Sequence, residues 1–330
     1  MNRAAELLRA LAPGDIVSGE LLARRLGISR TAVWKRVRGL VALGVAVERI
    51  PGRGYRLAAP LDCLDEERIR AALPGATAAR LDRLDVLPTV DSTSTRILSD
   101  PGPPGRLRAC LAEYQTAGRG RRGRPWLAPP GAALCLSVGG VLNRPPAAFG
   151  GLPLAVGVAA VRALERLAVD GVGLKWPNDL WWSGRKLGGV LIELRGEAEG
   201  PSLLSMGIGI NQRLPAAARA AVTAAGGQPP ADLAEACGDK PPDRNLVATH
   251  LIDTLVTAVD AFLALGLEPF AADWQRLDVL HGLEVRAHGA GQEIVGVARG
   301  VDRAGALLLE RPGGSLVRIT GGEISVRPVA

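Results

Sequence analysis

Residues 172–194 constrain the fold more than any other stretch of the chain. A strand over 172–175 runs into Trp176-Pro177, which stiffens a turn. Trp181-Trp182 begin a second strand, Ser183-Gly184 make a two-residue hairpin, and Lys186 opens a return strand over 187–194. A segment patterned this way folds as an antiparallel ribbon. It is also chemically marked: it holds Lys175 and Lys186, two of only four lysines in a chain whose other 36 basic residues are arginine. A chain so biased keeps lysine where a compact ammonium on a flexible stem does what a planar guanidinium cannot, such as reaching between two anions. Leu187-Gly188-Gly189 follows, and its missing side chains let the backbone approach a ligand.

The totals remove several classes. A length of 330 residues suggests two or three domains, and an apolar fraction of 47% excludes a disordered chain. The longest apolar run, residues 152–161, falls short of the roughly 20 residues of a membrane span, so no membrane association is expected. Arg3 and Glu6 stand where a signal peptide would place its apolar region. Cys63, Cys110, Cys135 and Cys237 are widely spaced, with no C-x-x-C pair and no nearby histidine. They argue against a metal site or a disulfide framework and fit a reducing cytoplasm. With three histidines, all late in the chain, His-based catalysis is not expected.

The net charge of +7 is concentrated. Residues 1–62 carry 11 Lys/Arg against 5 Asp/Glu, whereas residues 63–330 carry 29 against 28. A local basic surplus is the electrostatic mark of nucleic-acid binding. The pattern there is three helices, over 4–11, 19–26 and 30–43. Ser18 and Ser29 stand as N-caps, and Gly27 and Gly44 as C-terminal stops. Val33, Val37, Leu40 and Val41 form an inward stripe on the third helix. Arg30, Thr31, Trp34, Lys35 and Arg38, with the capping Ser29, form the face suited to a major groove. Strands over 45–50 and 55–57 flank Pro51-Gly52-Arg53-Gly54, a wing with Arg53 at its tip near phosphates. A solvated basic module for protein contacts is the alternative. Charge, helix face and wing tip together favour a winged helix-turn-helix DNA-binding domain over residues 1–62.

Residues 63–277 carry four further signals. After a strand over 84–87 come Ser92, Thr93 and Ser94, hydroxyls that either cap a helix or hold a small polar head group. Gln115-Thr116-Ala117-Gly118-Arg119-Gly120-Arg121-Arg122-Gly123-Arg124-Pro125-Trp126 interleaves arginines and glycines between strands over 107–114 and 133–141. It lacks the Walker A and Rossmann patterns. An RNA-binding tract and a plain linker are alternatives, but the flanking strands favour an anion loop that orders on binding. Asn178-Asp179 either close a turn or hold a ribose, an amine or a phosphate. The tryptophans of the ribbon read partly as core. A strand over 203–210 ends at Asn211, and its Gly207 and Gly209 share one face, leaving room for a flat ligand. Helices are expected over 152–167, 246–265 and 268–277.

In this order the motifs resemble the bifunctional biotin protein ligases and biotin operon repressors of bacteria, over nearly the whole chain. The resemblance rests on residues 115–123, Lys175-Trp176-Pro177-Asn178-Asp179-Leu180, Lys186-Leu187-Gly188-Gly189, Gly207-Ile208-Gly209-Ile210-Asn211 and Gly321-Gly322-Glu323-Ile324-Ser325. It implies an α+β multidomain protein. Its parts would be the winged helix-turn-helix, a class II synthetase-like catalytic domain with a central mixed sheet and helices (63–277), and an SH3-like C-terminal barrel (278–330). The family joins biotin to ATP, forming biotinyl-5′-adenylate, and passes biotin to one lysine of the biotin carboxyl carrier protein of acetyl-CoA carboxylase. The adenylate-bound form dimerises on operator DNA. By matching positions, Ser92, Thr93, Gln115, Gly118, Arg119, Gly120, Arg121 and Lys186 would meet biotin or its activated carboxylate. Trp126, Asn178, Gly207 and Asn211 would lie toward the adenylate. The family usually has Asn where this chain has Ser94, which weakens that assignment. Lys186, Arg119 and Arg121, with Mg²⁺ brought by ATP, would hold two anions together. Asp179 would orient or accept the proton of the acceptor lysine.

Residues 278–330 alternate as five short strands, over 283–287, 292–301, 306–310, 316–319 and 324–327. Two other functions share much of this pattern: a transcription factor that senses a small acid without turnover, and a lipoate ligase.

Overall fold

The computed structural model describes residues 2–289, 292–320 and 325–328. The N-terminal elements are α1 (Asn2–Leu11), α2 (Gly19–Arg25), α3 (Arg30–Ala42), β1 (Val47–Ile50) and β2 (Gly54–Leu57). The two caps form as expected: Ser18 Oγ accepts from Leu21 N at 3.1 Å, and Ser29 Oγ from Ala32 N at 3.2 Å. Gly27 and Gly44 adopt the left-handed conformation that stops each helix, at φ 61° and 86°. Leu7, Leu11, Leu22, Val33, Val37 and Leu40 close a core separate from the rest of the chain. Val41 departs from the expected stripe. It is 50% exposed, because it lies about 100° round the helix from buried Leu40, at the margin of the stripe.

The rest of the chain is α4 (Glu66–Ala72), α5 (Gly75–Arg80), β3 (Leu81–Leu87), α6 (Thr93–Ser99), β4 (Leu107–Ala112), β5 (Ala133–Leu142), α7 (Leu152–Glu165), β6 (Val172–Lys175), β7 (Asp179–Trp182), β8 (Arg185–Gly196), β9 (Ser202–Asn211), α8 (Ala216–Ala224), α9 (Leu233–Ala236), α10 (Arg244–Leu265), α11 (Ala271–Leu277), β10 (Glu284–Gly289), β11 (Gln292–Val301), β12 (Leu307–Glu310), β13 (Leu316–Ile319) and β14 (Ser325–Pro328). A seven-stranded mixed sheet runs β3-β4-β5-β9-β8-β7-β6, with β3 and β4 parallel and the other pairs antiparallel. The ribbon of 172–194 is its β6-β7-β8 edge. Ser183 and Gly184, at φ 48° and 73°, make the tight hairpin.

Alternation along β5 and β9 decides which face becomes core. Leu134, Leu136 and Val138 of β5, with Leu204, Met206, Ile208 and Ile210 of β9, are buried in the main core. The intervening residues are small and pair across strands: Cys135 with Gly209, Ser137 with Gly207, and Gly139 with Ser205. Period-two alternation thus builds a core on one face and a shallow floor on the other. α7 and α10 pack against each other within that core. α10 is long and apolar enough to cross a membrane by length and composition, but 61% of that window is buried within the protein. The C-terminal strands form an antiparallel sheet in the order β13-β12-β11-β10-β14, the SH3-like unit. Val285, Leu307 and Leu309 share the main core rather than closing a separate one. Of the Gly321–Ser325 motif, the first four residues lie outside those described.

The junction between the first two units is clasped. Arg244, 1% exposed, pairs with buried Glu113 at 2.7 Å and donates to Asp62 O and Ala133 O. Leu64 N donates to Glu113 at 2.6 Å, and Asn245 takes Asp65 N at 2.8 Å and donates to Cys63 O at 3.1 Å.

Candidate active site

Three side chains seat in the small-residue floor of the sheet. A Cβ on Gly209 would lie 2.7 Å from the Trp126 ring, one on Gly207 2.9 Å from Ser94 Oγ, and one on Gly139 2.8 Å from Ile97. The room foreseen at Gly207 and Gly209 for a flat ligand is therefore filled by the protein's own Ser94 and Trp126. Those two become part of the floor of a cavity of about 510 Å³.

At one end are hydroxyls. Gln115 Oε1 accepts from Thr93 N at 2.8 Å and Thr93 Oγ1 at 3.1 Å, and Thr93 Oγ1 meets Ser137 Oγ at 2.8 Å. Ser94 Oγ lies 3.2 Å from Ser137 Oγ and takes the Ser205 hydroxyl at 3.1 Å. Ser92 occupies the N-cap position of α6, but its side chain makes no capping bond, and it lines the cavity.

At the other end are cations. Lys186 Nζ donates to Asp179 Oδ1 at 2.7 Å. Arg121 Nη1 donates to Asn178 Oδ1 at 3.2 Å, and Asn178 is itself fixed by donating to Val190 O at 2.6 Å. Burial, then the neighbouring Arg122, lower the Arg121 pKa from its usual value, against an opposing pull from Asp179. A cation held in that state is relieved by an arriving anion. Arg119 lines the cavity too, but its guanidinium is bound to both oxygens of Glu193 at 2.9 Å and to Thr95 Oγ1 at 2.7 Å. The loop carrying these arginines is a small hairpin of its own. Arg119 bridges Pro125, Gly120 N donates to Arg124 O at 2.7 Å, and Trp126 N to Gly118 O at 2.8 Å.

The cavity brings together Ser92, Thr93, Ser94, Gln115, Arg119, Gly120, Arg121, Trp126, Asn178, Asp179, Lys186, Gly207 and Asn211. Gly118 is the exception. It does not line the cavity, and it is tightly packed in the turn: a Cβ there would meet Trp126 O at 2.9 Å and Gln115 Nε2 at 3.0 Å. Asn211 faces the cavity with its amide donated to Ala231 O at 2.8 Å. Motif reasoning passed over Lys175 as a site residue. It lines the cavity, is 5% exposed, and places its ammonium 4.3 Å from the centre of the Trp181 ring. The scarcity of lysine was the signal that could have found it. Val222 and residues 225–228, from a stretch that looked uninformative, also wall the cavity. The C-terminal unit buttresses the site: Trp176 Nε1 donates to Gly305 O at 3.0 Å, and Val279 N to Leu174 O at 3.0 Å.

On the N-terminal unit, Ser29, Arg30, Thr31, Trp34, Lys35, Arg38 and Arg53 are all exposed, and Arg38 lies over the Trp34 ring at 4.8 Å. The Ser29 hydroxyl is committed to its cap.

A cavity of about 510 Å³ with a hydroxyl end and a cationic end, floored by a mixed sheet, suits an enzyme that handles a small carboxylic acid. The Biotin/lipoate A/B protein ligase family matches residues 86–211, the HTH domain family residues 3–56, and the Biotin protein ligase C terminal domain residues 280–327. The chain is 40% identical to Bifunctional ligase/repressor BirA of Escherichia coli, over 98% of this chain and 96% of that protein. It is 31% identical to the protein of the same name from Bacillus subtilis, over 91% and 90%. The structure of biotin protein ligase from Aquifex aeolicus in complex with biotin and ATP superposes with a TM-score of 0.62 at 30% identity, covering 76% of this chain and all of that one. The chain belongs to the bifunctional biotin ligase/repressor family.

Proposed function

We propose that the protein is an ATP-dependent biotin protein ligase fused to a repressor domain that reads the biotin operator. The observation that carries this is the cavity itself, with a hydroxyl cluster suited to a cyclic urea at one end and Lys186 and Arg121 at the other. Arg122 and Arg124 also line it.

In the first step a carboxylate oxygen of biotin attacks the α-phosphorus of ATP. The bond to the bridging oxygen breaks, pyrophosphate leaves, and biotinyl-adenylate forms. A carboxyl of ordinary pKa, near ~4, is already ionised at neutral pH, so no general base is needed. The task is to hold two anions together and stabilise charge on the α-phosphoryl group. That falls to Lys186 and Arg121, with Asn178 positioning the guanidinium. Arg119, held by Glu193, acts first as the clasp that shapes the loop. Among the described residues no group of three or more His, Cys, Asp or Glu is arranged to hold a metal. Asp179 is the one carboxylate among the described residues lining the cavity, beside six cations and several neutral polar side chains, and a single carboxylate does not make an all-protein magnesium cage. Mg²⁺ brought with ATP would supply charge shielding on the phosphates, with Asp179 the carboxylate of this chain that could face it.

In the second step the amine of a carrier-protein lysine attacks the biotinyl carbon, the acyl C–O bond breaks and AMP leaves. Asp179, the one carboxylate among the described residues lining the cavity, receives the amine proton. Because it also holds Lys186, its replacement by Asn slows both steps, with transfer the more affected. The acceptor is the biotin carboxyl carrier protein of acetyl-CoA carboxylase, by analogy with the Mycobacterium tuberculosis relative, whose name is Biotin--[acetyl-CoA-carboxylase] ligase and which is 34% identical over 79% of this chain. The adenylate-bound form pairs as a homodimer on two operator half-sites, as helix-turn-helix proteins do. Domain limits near residues 62 and 277 fit the clasp at 62–65 and the crossing at Leu174 and Asp278. Four free cysteines fit a reducing cytoplasm.

The test is biotin-dependent exchange of labelled pyrophosphate into ATP, with lipoate offered in parallel. Exchange with biotin alone supports the ligase. Its absence in protein that still binds biotin leaves a sensor, and exchange with lipoate alone leaves a lipoate ligase.

A further inference from the structure

Helix α8 has no fully buried residue; Ala218, Arg219 and Val222 are half-buried and the rest exposed. From Ala216 to Ala224 it is alanine except for Arg219, Val222 and Thr223, and none of its nine residues is buried. A helix this short does not hold itself together in water. Yet Val222 and the turn over 225–228 wall the active-site cavity. The turn is a tight one: Gly226 has φ 72°, and a Cβ on Gly227 would lie 2.8 Å from Val222 O.

What fastens the helix is one guanidinium. Arg219 Nε donates to Leu214 O at 3.2 Å, and Nη1 to Pro230 O at 3.1 Å and Glu235 at 3.2 Å, while Nη2 is bound to Asp232 Oδ2. Asp232 is 1% exposed and is itself immobilised, capping α9 at Glu235 N (2.9 Å) and accepting Leu214 N at 2.7 Å. Arg185 completes the cluster, donating to Glu235 at 3.1 Å and to Pro230 O at 3.3 Å. Burial alone would raise the Glu235 pKa; the bond from Arg185 and the charge of Arg219 outweigh it and hold the carboxyl below its usual value. The strip beyond the turn is bonded to the backbone of the key lysine: Lys186 N donates to Pro229 O at 2.9 Å, and Ala231 N to Lys186 O at 2.8 Å. The lid and Lys186 therefore share one anchor.

We propose that Arg219 is a positioning residue, an ionic latch that keeps α8 and its turn closed over the acyl-adenylate between the two half-reactions. The inference rests on the ligase reading. A reactive mixed anhydride must be retained until the carrier arrives, and a helix whose only apolar seat is half-buried Ala218 and Val222 leaves most of that retention to Arg219.

The test loads full-length protein with labelled biotin and ATP, chases with unlabelled biotin and ATP, and follows label leaving the protein. Arg219→Ala releases the adenylate about tenfold faster than wild type, a difference of about 1.4 kcal/mol. Its pyrophosphate exchange at saturating substrates stays within about threefold of wild type. Added salt speeds release from wild type only slightly and from Arg219→Ala not at all, because Asp232 is buried and only the Glu235 arm of the latch is open to screening. Arg219→Lys falls between the two. Release from Arg219→Ala at the wild-type rate overturns the latch, as does loss of exchange and retention in equal proportion. If Arg219→Ala does not fold, Glu235→Gln carries the test: release about threefold faster supports the latch, and an unchanged rate overturns it. A wild-type protein with no exchange at all refutes the ligase reading instead.

Discussion

Removing Lys186 perturbs the site in two ways, and the structure separates them. The ammonium donates to Asp179 Oδ1 at 2.7 Å, with both side chains partly exposed, at 27% and 20%. Lys186→Ala first removes a preorganised cation from the reacting carboxylate and phosphoryl oxygens. Losing one such donor costs about 10²–10³ in rate, or about 3–4 kcal/mol. It also leaves the Asp179 carboxylate without its lysine on a wall that must face two anions. A unit charge roughly 6 Å from another, at an effective dielectric near ~20, repels by about 2.8 kcal/mol, and partial exposure leaves roughly half of that. Lys186→Ala therefore lowers kcat/KM for pyrophosphate exchange by about 10³–10⁴. Adding Asp179→Asn to it restores about tenfold, although Asp179→Asn alone lowers activity. The assay is exchange on the two single variants and the double variant. A double variant no better than Lys186→Ala refutes the repulsion argument, and a Lys186→Ala protein within about threefold of wild type refutes the role of the lysine.

Gly209→Ala puts a Cβ 2.7 Å from the Trp126 ring and lifts it from the floor; overpacking of this kind costs about 1–3 kcal/mol, so the adenylate dissociation constant rises about fivefold or more in titration calorimetry while the fold is kept. Arg244→Met strands the buried Glu113 carboxylate at a cost of about 3–5 kcal/mol, and calorimetry shows Tm lowered by roughly 10 °C, with Glu113→Gln in the same chain restoring part of it. Burial raises the Asp278 carboxyl above its usual pKa, which favours the folded state when the group is protonated. That contribution is fully present below the unfolded value near ~3.9 and is lost as pH rises through the folded value. Asp278→Asn therefore raises the unfolding free energy at pH 7 by about 1 kcal/mol, and denaturant melts show the gain vanishing below about pH 4; a pH-independent difference contradicts it.

What was legible in the sequence follows from how far each signal reaches. The caps at Ser18 and Ser29, the hairpin at Ser183-Gly184 and the alternation of β9 are local, and residues a few positions apart decide them. The clustering of hydroxyls, arginines and Lys186 was legible through family motifs. The seat of Trp126 on Gly209 was not, because glycine announces missing bulk but not which distant side chain fills it. The pairing of Arg119 with Glu193 was not legible either, because Glu193 is 74 residues away and carries no local mark. Val41 kept helical spacing to Val37 but lies at the margin of the stripe, where only the tertiary packing decides which side is covered. The lid of α8 was illegible as a wall because its polyalanine pattern has no hydrophobic face, and only the placement of Arg219 shows what holds it.

The most direct measurement is a crystal structure of the protein with biotinyl-adenylate. The account predicts the acyl-phosphate oxygens within hydrogen-bond distance of Lys186 Nζ and Arg121, the ureido ring among Ser92, Thr93 and Gln115, and the adenine side beneath α8 and its turn. An adenylate seated away from Lys186 and Arg121, in protein that still performs exchange, would contradict it.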